Sequence, residues 1–161
     1  MAKSIRSKIN QRRPSMQVTV ENLILAHTGK KGLDNFYKAV NNGGYFHLSL
    51  DNGDGWLPFH INVITKNIVN LTHFGKDKWG DSFRDCDIEF LVNTDHYFNH
   101  AFGNWCPYSH ENMFSYVKLL YMDEGQYSRQ LGGVKSLANT WAKNLRYQGW
   151  ENATIKHYEY S

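Results

Sequence analysis

The stretch YFHLSLDNGDGWLPFHINV, residues 45–63, decides the fold class. Phe46, Leu48 and Leu50 alternate with Tyr45, His47 and Ser49; beyond the DNGDG turn at residues 51–55, Leu57, Phe59, Ile61 and Val63 alternate with His60 and Asn62. A period of two marks a strand with one buried face, and the turn rich in Asn, Asp and Gly joins the two runs as a hairpin.

Upstream the period is 3.6. Val20, Leu23, Ile24 and His27 recur at helical spacing, with Thr19 as N-cap and Gly29 as stop. Leu33, Phe36, Tyr37 and Val40 repeat that spacing before Asn41-Asn42-Gly43-Gly44 ends the run. These two segments predict a helical hairpin.

Downstream, Lys66-Asn67 turns the chain into IVNLTHF, where Val69 and Leu71 oppose Asn70 and Thr72. A loop holding Gly75 and Gly80 leads to DCDIEFLVN, where Cys86, Ile88, Phe90 and Val92 oppose Asp85, Asp87 and Glu89. Residues 106–122 satisfy helix and strand spacing alike; a fifth strand near Phe114 to Tyr121 is the reading taken. Val134, Leu137, Trp141 and Leu145 then line a helix that stops at Gly149, and the tail ENATIKHYEYS is either an edge strand or a loose end. The expected fold is α+β: an antiparallel meander sheet of four to five strands, with the N-terminal helical hairpin and the C-terminal helix on one face.

Composition bounds the alternatives. A chain of 161 residues with 41% hydrophobic content suits one core, so residues 19–161 are read as a single α+β domain. Residues 1–18 are read as a flexible basic tail: Lys3, Arg6, Lys8, Arg12 and Arg13 lie there, and all 15 acidic residues come later. Such an arm adds affinity for a phosphate backbone, so these five residues are the nucleic-acid-binding candidates. Cys86 and Cys106 match neither a disulfide framework nor a zinc motif. With no apolar leader and no run of about 20 apolar residues, the expected location is the cytoplasm, away from membranes.

Each strand's polar parity faces away from the helices and collects His47, Ser49, His60, Asn62, Asn70, Thr72, Asp87 and Glu89. His47 and His60 are weak metal-ligand candidates, and with Asp87, Glu89 and the loop residue Asp81 they have the residue types of a metal or acid–base site. No tight ligand spacing such as HExxH or CxxC accompanies them, so a solvated sheet face is the preferred reading, with no cofactor and no catalytic residue assigned. A role without enzymatic chemistry is favoured. Loop aromatics beside polar groups are better suited to anchor a partner, which makes Trp79, Asp81, Phe83, Asp87 and Glu89 the partner-binding candidates.

The order of short motifs resembles a family of uncharacterised domains encoded on bacterial plasmids, integrative elements and phages. The resemblance rests on Trp56-Leu57-Pro58 as a strand start and on His73, Gly80-Asp81 and Asp87-Ile88-Glu89-Phe90. It continues through a Trp105-Cys106-Pro107 turn to a closing helix with Trp141, Asn144-Leu145 and Gln148-Gly149. The resemblance implies a setting rather than a chemistry: a small accessory protein of a mobile element that binds a host protein. A counter-defence inhibitor (anti-CRISPR or antirestriction) is one such role, with an RNA-guided nuclease or its nucleic acid as the partner. The alternatives are a nucleic-acid-binding module using the basic arm and a metal-dependent enzyme on the polar face.

Overall fold

The computed structural model describes residues 14–53, 55–76, 79–92, 105–111, 116–118, 120–121, 126–127 and 131–161; for residues 83, 84, 108, 110, 111, 116–118, 120, 121, 126, 127 and 131–135 it describes the backbone alone. The basic arm, Lys3 to Arg13, lies outside the described residues, as does the side chain of Phe83.

Helix α1 (Ser15–Asn42) is interrupted at Gly29, whose φ of 73° and ψ of −173° fall in a region that essentially only glycine adopts. The chain folds back there. Gln17 donates through Nε2 to the Tyr37 hydroxyl at 3.4 Å, a contact across 20 residues that a straight helix could not make. The expected helical hairpin is therefore present, with one glycine as its turn.

Five strands follow in order: β1 (Phe46–Asp51), β2 (Phe59–Val63), β3 (Ile68–Lys76), β4 (Ser82–Val92) and β5 (Trp105–Glu111). β6 (Tyr116–Lys118) extends the sheet, while β7 (Leu120–Tyr121) and β8 (Gln126–Tyr127) pair only with each other. Helix α2 (Leu131–Tyr147), a 3-10 turn at Trp150–Asn152 and β9 (Thr154–Tyr160) complete the chain. The main sheet is antiparallel with order β6-β5-β4-β3-β2-β1-β9.

Seven strands exceed the four or five expected, and two local causes account for the difference. Trp105-Cys106-Pro107, expected as a turn, lies inside β5: the register shifts between Glu89 and Phe90, so Pro107 sits at a bulge, where the sheet tolerates proline. The tail forms the edge strand β9, exposed at nearly every position and so lacking the buried parity that identifies a strand in sequence.

The face parity is as the alternation predicts. Phe46, Leu48, Leu50, Phe59, Ile61, Val63, Val69, Leu71, Ile88, Phe90 and Val92 are all buried on the helix side. They pack against Val20, Leu23, Ile24 and Phe36 of α1 and Ala138, Trp141, Ala142 and Leu145 of α2. Leu137, expected in the buried stripe of α2, instead sits at its margin, 38% exposed.

Candidate functional site

The polar sheet face is built from cross-strand rows. One row runs His157, Ser49, His60, Thr72 and Asp87 across β9, β1, β2, β3 and β4; the next runs Glu159, His47, Asn62, Asn70, Glu89 and Ser109. Neighbours in such rows lie close enough to bond side chain to side chain. His47 and His60 stack with ring centroids 5.3 Å apart, and His47 Nε2 lies 3.0 Å from His60 Nδ1. His60 Nε2 lies 2.9 Å from the Phe74 carbonyl oxygen, which can only accept, so Nε2 of His60 carries the proton and its Nδ1 accepts from His47 Nε2. Burial lowers the pKa of both rings, that of His47 to about 4; repulsion between the ring and a protonated His60 or His157 lowers His47 further, while the bond to the Phe74 carbonyl partly offsets the shift on His60.

The carboxylates of this face are engaged elsewhere. Asn70 Nδ2 donates to Asp87 Oδ1 at 2.6 Å, and Ser109 Oγ donates to Glu89 Oε1 at 2.9 Å. Asp87 is only 8% exposed. At the edge, His157 and Glu159 pair at 3.2 Å in the open. Among the described residues no group of three or more His, Cys, Asp or Glu is placed to hold a metal ion. Both nitrogens of His60 are occupied, so this ring presents no free lone pair to a metal.

The partner-binding candidates divide between two places. Trp79 and Asp81 lie at the tip of the β3–β4 hairpin, beyond the Lys76–Ser82 pair, with Trp79 75% exposed; Asp87 and Glu89 lie in mid-strand on the polar face. The structure does not bring these two pairs together. No helix among the described residues is long and apolar enough to cross a membrane.

A second site lies on the opposite face, where residues of α2 meet His73 of β3 and Asp85 and Cys86 of β4. His73 sits there between two partners: its Nδ1 is 3.2 Å from the Leu57 carbonyl oxygen, and its Nε2 accepts from the Trp141 indole Nε1 at 3.0 Å. Phe59, Trp141 and Trp150 surround the ring with centroids between 5.2 and 5.4 Å away. Burial lowers the pKa of His73, and the two hydrogen bonds define a single neutral tautomer with the proton on Nδ1.

Beside His73 opens a groove of about 650 Å³. Trp56, Asp85, Cys86, Trp141, Asn144 and Gln148 are among its walls. Adjacent strand residues normally point to opposite faces, yet Asp85 and Cys86 both line it. The reason is a bulge: Thr72 pairs with Asp87 and Phe74 with Arg84, leaving Asp85 and Cys86 opposite His73 alone. The extra residue turns Asp85 from the polar face, where alternation had placed it, to the helix side. Burial and the neighbouring carboxylates push the Cys86 thiol up to about 12, so it stays protonated.

Several groove residues come from the short motifs quoted above: Trp56 and Leu57, His73, and Trp141, Asn144 and Gln148. The residue types were readable in sequence, but their convergence depends on where α2 docks. Neither the curated proteins nor the solved structures contain a match to this chain. A family model does match, over residues 19–151, which takes in most of α1, strands β1 to β8, α2 and the groove; the chain belongs to the family described as Domain of unknown function (DUF6908).

Proposed function

We propose that the protein is a non-enzymatic accessory protein of a bacterial mobile element that acts in the host cytoplasm by binding a host protein. A counter-defence role against an RNA-guided nuclease or a restriction enzyme is the form this reading takes. The observation that carries the binding role is the exposed aromatic end of the sheet. Trp56, 44% exposed, and Phe74, 37% exposed, line a common cleft, and Trp79, 75% exposed, lies at the tip of the β3–β4 hairpin. Exposed aromatics of this size are the usual anchors of protein interfaces. On the polar face, by contrast, Asp87 accepts a hydrogen bond from Asn70 and Glu89 one from Ser109.

A photo-crosslinking residue placed at position 79 or 56 in the full chain, expressed in its host, tests the reading. A discrete crosslinked host protein is expected, absent when the probe is at the exposed Leu25 on α1. Host effects that persist in full in a folded Trp56→Ala, Trp79→Ala double variant would overturn it. The basic arm supports a second reading, contact with nucleic acid through Lys3, Arg6, Lys8, Arg12 and Arg13. Affinity for duplex DNA that is unchanged on deleting residues 1–13 would remove the arm from the mechanism.

A further inference from the structure

We propose that the groove beside His73 is a receptor for the guanidinium group of an arginine side chain presented by a partner protein. The proposal rests on the binding role above and names the chemistry of the contact.

Charge is the first argument. Of the described residues that line the groove, Asp85 alone carries a charge, and none is a lysine or arginine. A phosphate or carboxylate ligand would meet that carboxylate with no cation among the described lining residues to offset it, whereas a cation meets a counter-charge. The neighbours preserve that polarity. His73 is held neutral between Leu57 and Trp141 and adds no positive charge, and the protonated Cys86 thiol adds no negative one.

Shape and bonding narrow the cation. Asp85 reaches the groove only because the β4 bulge turns it there, and it stands on the strand wall. On the helix wall, Thr140 and Asn144 lie four residues apart on one face of α2 and offer a hydroxyl and an amide oxygen; both are exposed. Gln148 contributes less as an acceptor, since its Oε1 already accepts from Trp150 Nε1 at 3.0 Å. Trp56, half-exposed at the mouth, presents an aromatic surface. A planar ion with five donors in a fixed fork can bond a carboxylate on one side, reach amide and hydroxyl acceptors on the other and stack on an indole; an ammonium, a compact point charge, matches this less well.

The test uses the full chain and end-blocked Gly-Gly-Arg-Gly-Gly, its citrulline counterpart as the neutral isostere, its lysine counterpart and free arginine. The readout is the indole N–H resonances of Trp56 and Trp141 during titration. The arginine peptide is expected to shift both saturably, and the citrulline and lysine peptides to bind at least about tenfold more weakly. Asp85→Asn, isosteric at an exposed position, should reduce the arginine peptide to the level of citrulline. Equal binding of arginine and citrulline peptides, an unaffected Asp85→Asn variant, or no saturable shift overturns the proposal. Equal binding of the lysine peptide overturns the preference for guanidinium, and free arginine binding as tightly as the peptide overturns a protein source. Crosslinking at position 79 that persists in Asp85→Asn while every peptide fails would dismiss the groove and leave the binding role standing; loss of all crosslinking with intact peptide binding would do the reverse.

Discussion

The indole of Trp141 donates to Nε2 of His73 across 3.0 Å, tying α2 to β3 at the residue that faces the β4 bulge. The bond joins two residues of the groove wall and fixes the orientation of the His73 ring. Trp141→Phe keeps the edge-on packing against Phe59, at 5.7 Å and 84°, but removes the donor. The buried acceptor on His73 is then unmatched, and a loss of about 1–3 kcal/mol is expected in urea unfolding. A variant as stable as the parent would show that the bond contributes nothing net.

Acid should destabilise the protein through its histidines. In the unfolded chain an imidazole takes up its proton near 6.5, while in the folded chain burial lowers the pKa of His47 to about 4 and those of His60 and His73 below their ordinary value. The unfolded state therefore binds more protons between these limits, and the contribution present above pH 6.5 is lost as pH falls toward 4. Proton uptake on His60 also places a hydrogen on Nδ1, against the donor from His47. Urea midpoints measured from pH 7 to pH 4 should fall, and less steeply in His47→Gln. Identical pH slopes for the two proteins would contradict this.

Gly29 tests the hairpin turn. A Cβ there would meet no atom within 4 Å, so Gly29→Ala isolates the cost of the backbone conformation. A destabilisation of about 1–3 kcal/mol is expected. No loss in thermal or urea unfolding would mean that the turn relaxes into an ordinary geometry.

Thr72 points the other way. Its hydroxyl is buried on the polar face with no hydrogen-bond partner among the described residues. Thr72→Val removes an unmatched polar atom with little change of shape and should raise stability by about 1 kcal/mol. A clear loss in the same unfolding assay would mean that the hydroxyl is bonded in solution.

Residues 45–63 were legible because each strand meets only one core, so alternation maps directly onto faces: Phe46, Leu48 and Leu50 go in, His47 and Ser49 go out. The same rule misplaced Asp85. DCDIEF reads as unbroken alternation, and nothing local announces that two residues will oppose His73; the bulge is set by pairing with β3, which is information from outside the segment. Likewise, shared parity brings His47 and His60 onto one face, but the bond between them follows from a diagonal placement that only the register reveals. β9 escaped a firm reading because a strand exposed on both sides leaves no apolar rhythm.

That last strand sets the timing of folding. Phe46 pairs with Tyr160, more than a hundred residues further along, so β1 cannot gain its second neighbour until synthesis has passed β9. During synthesis β1 is an open edge carrying Phe46, Leu48 and Leu50, the kind of template on which nascent chains self-associate. Completion of this sheet is a late, long-range event, and truncation before β9 would convert a buried ladder into an aggregation seed.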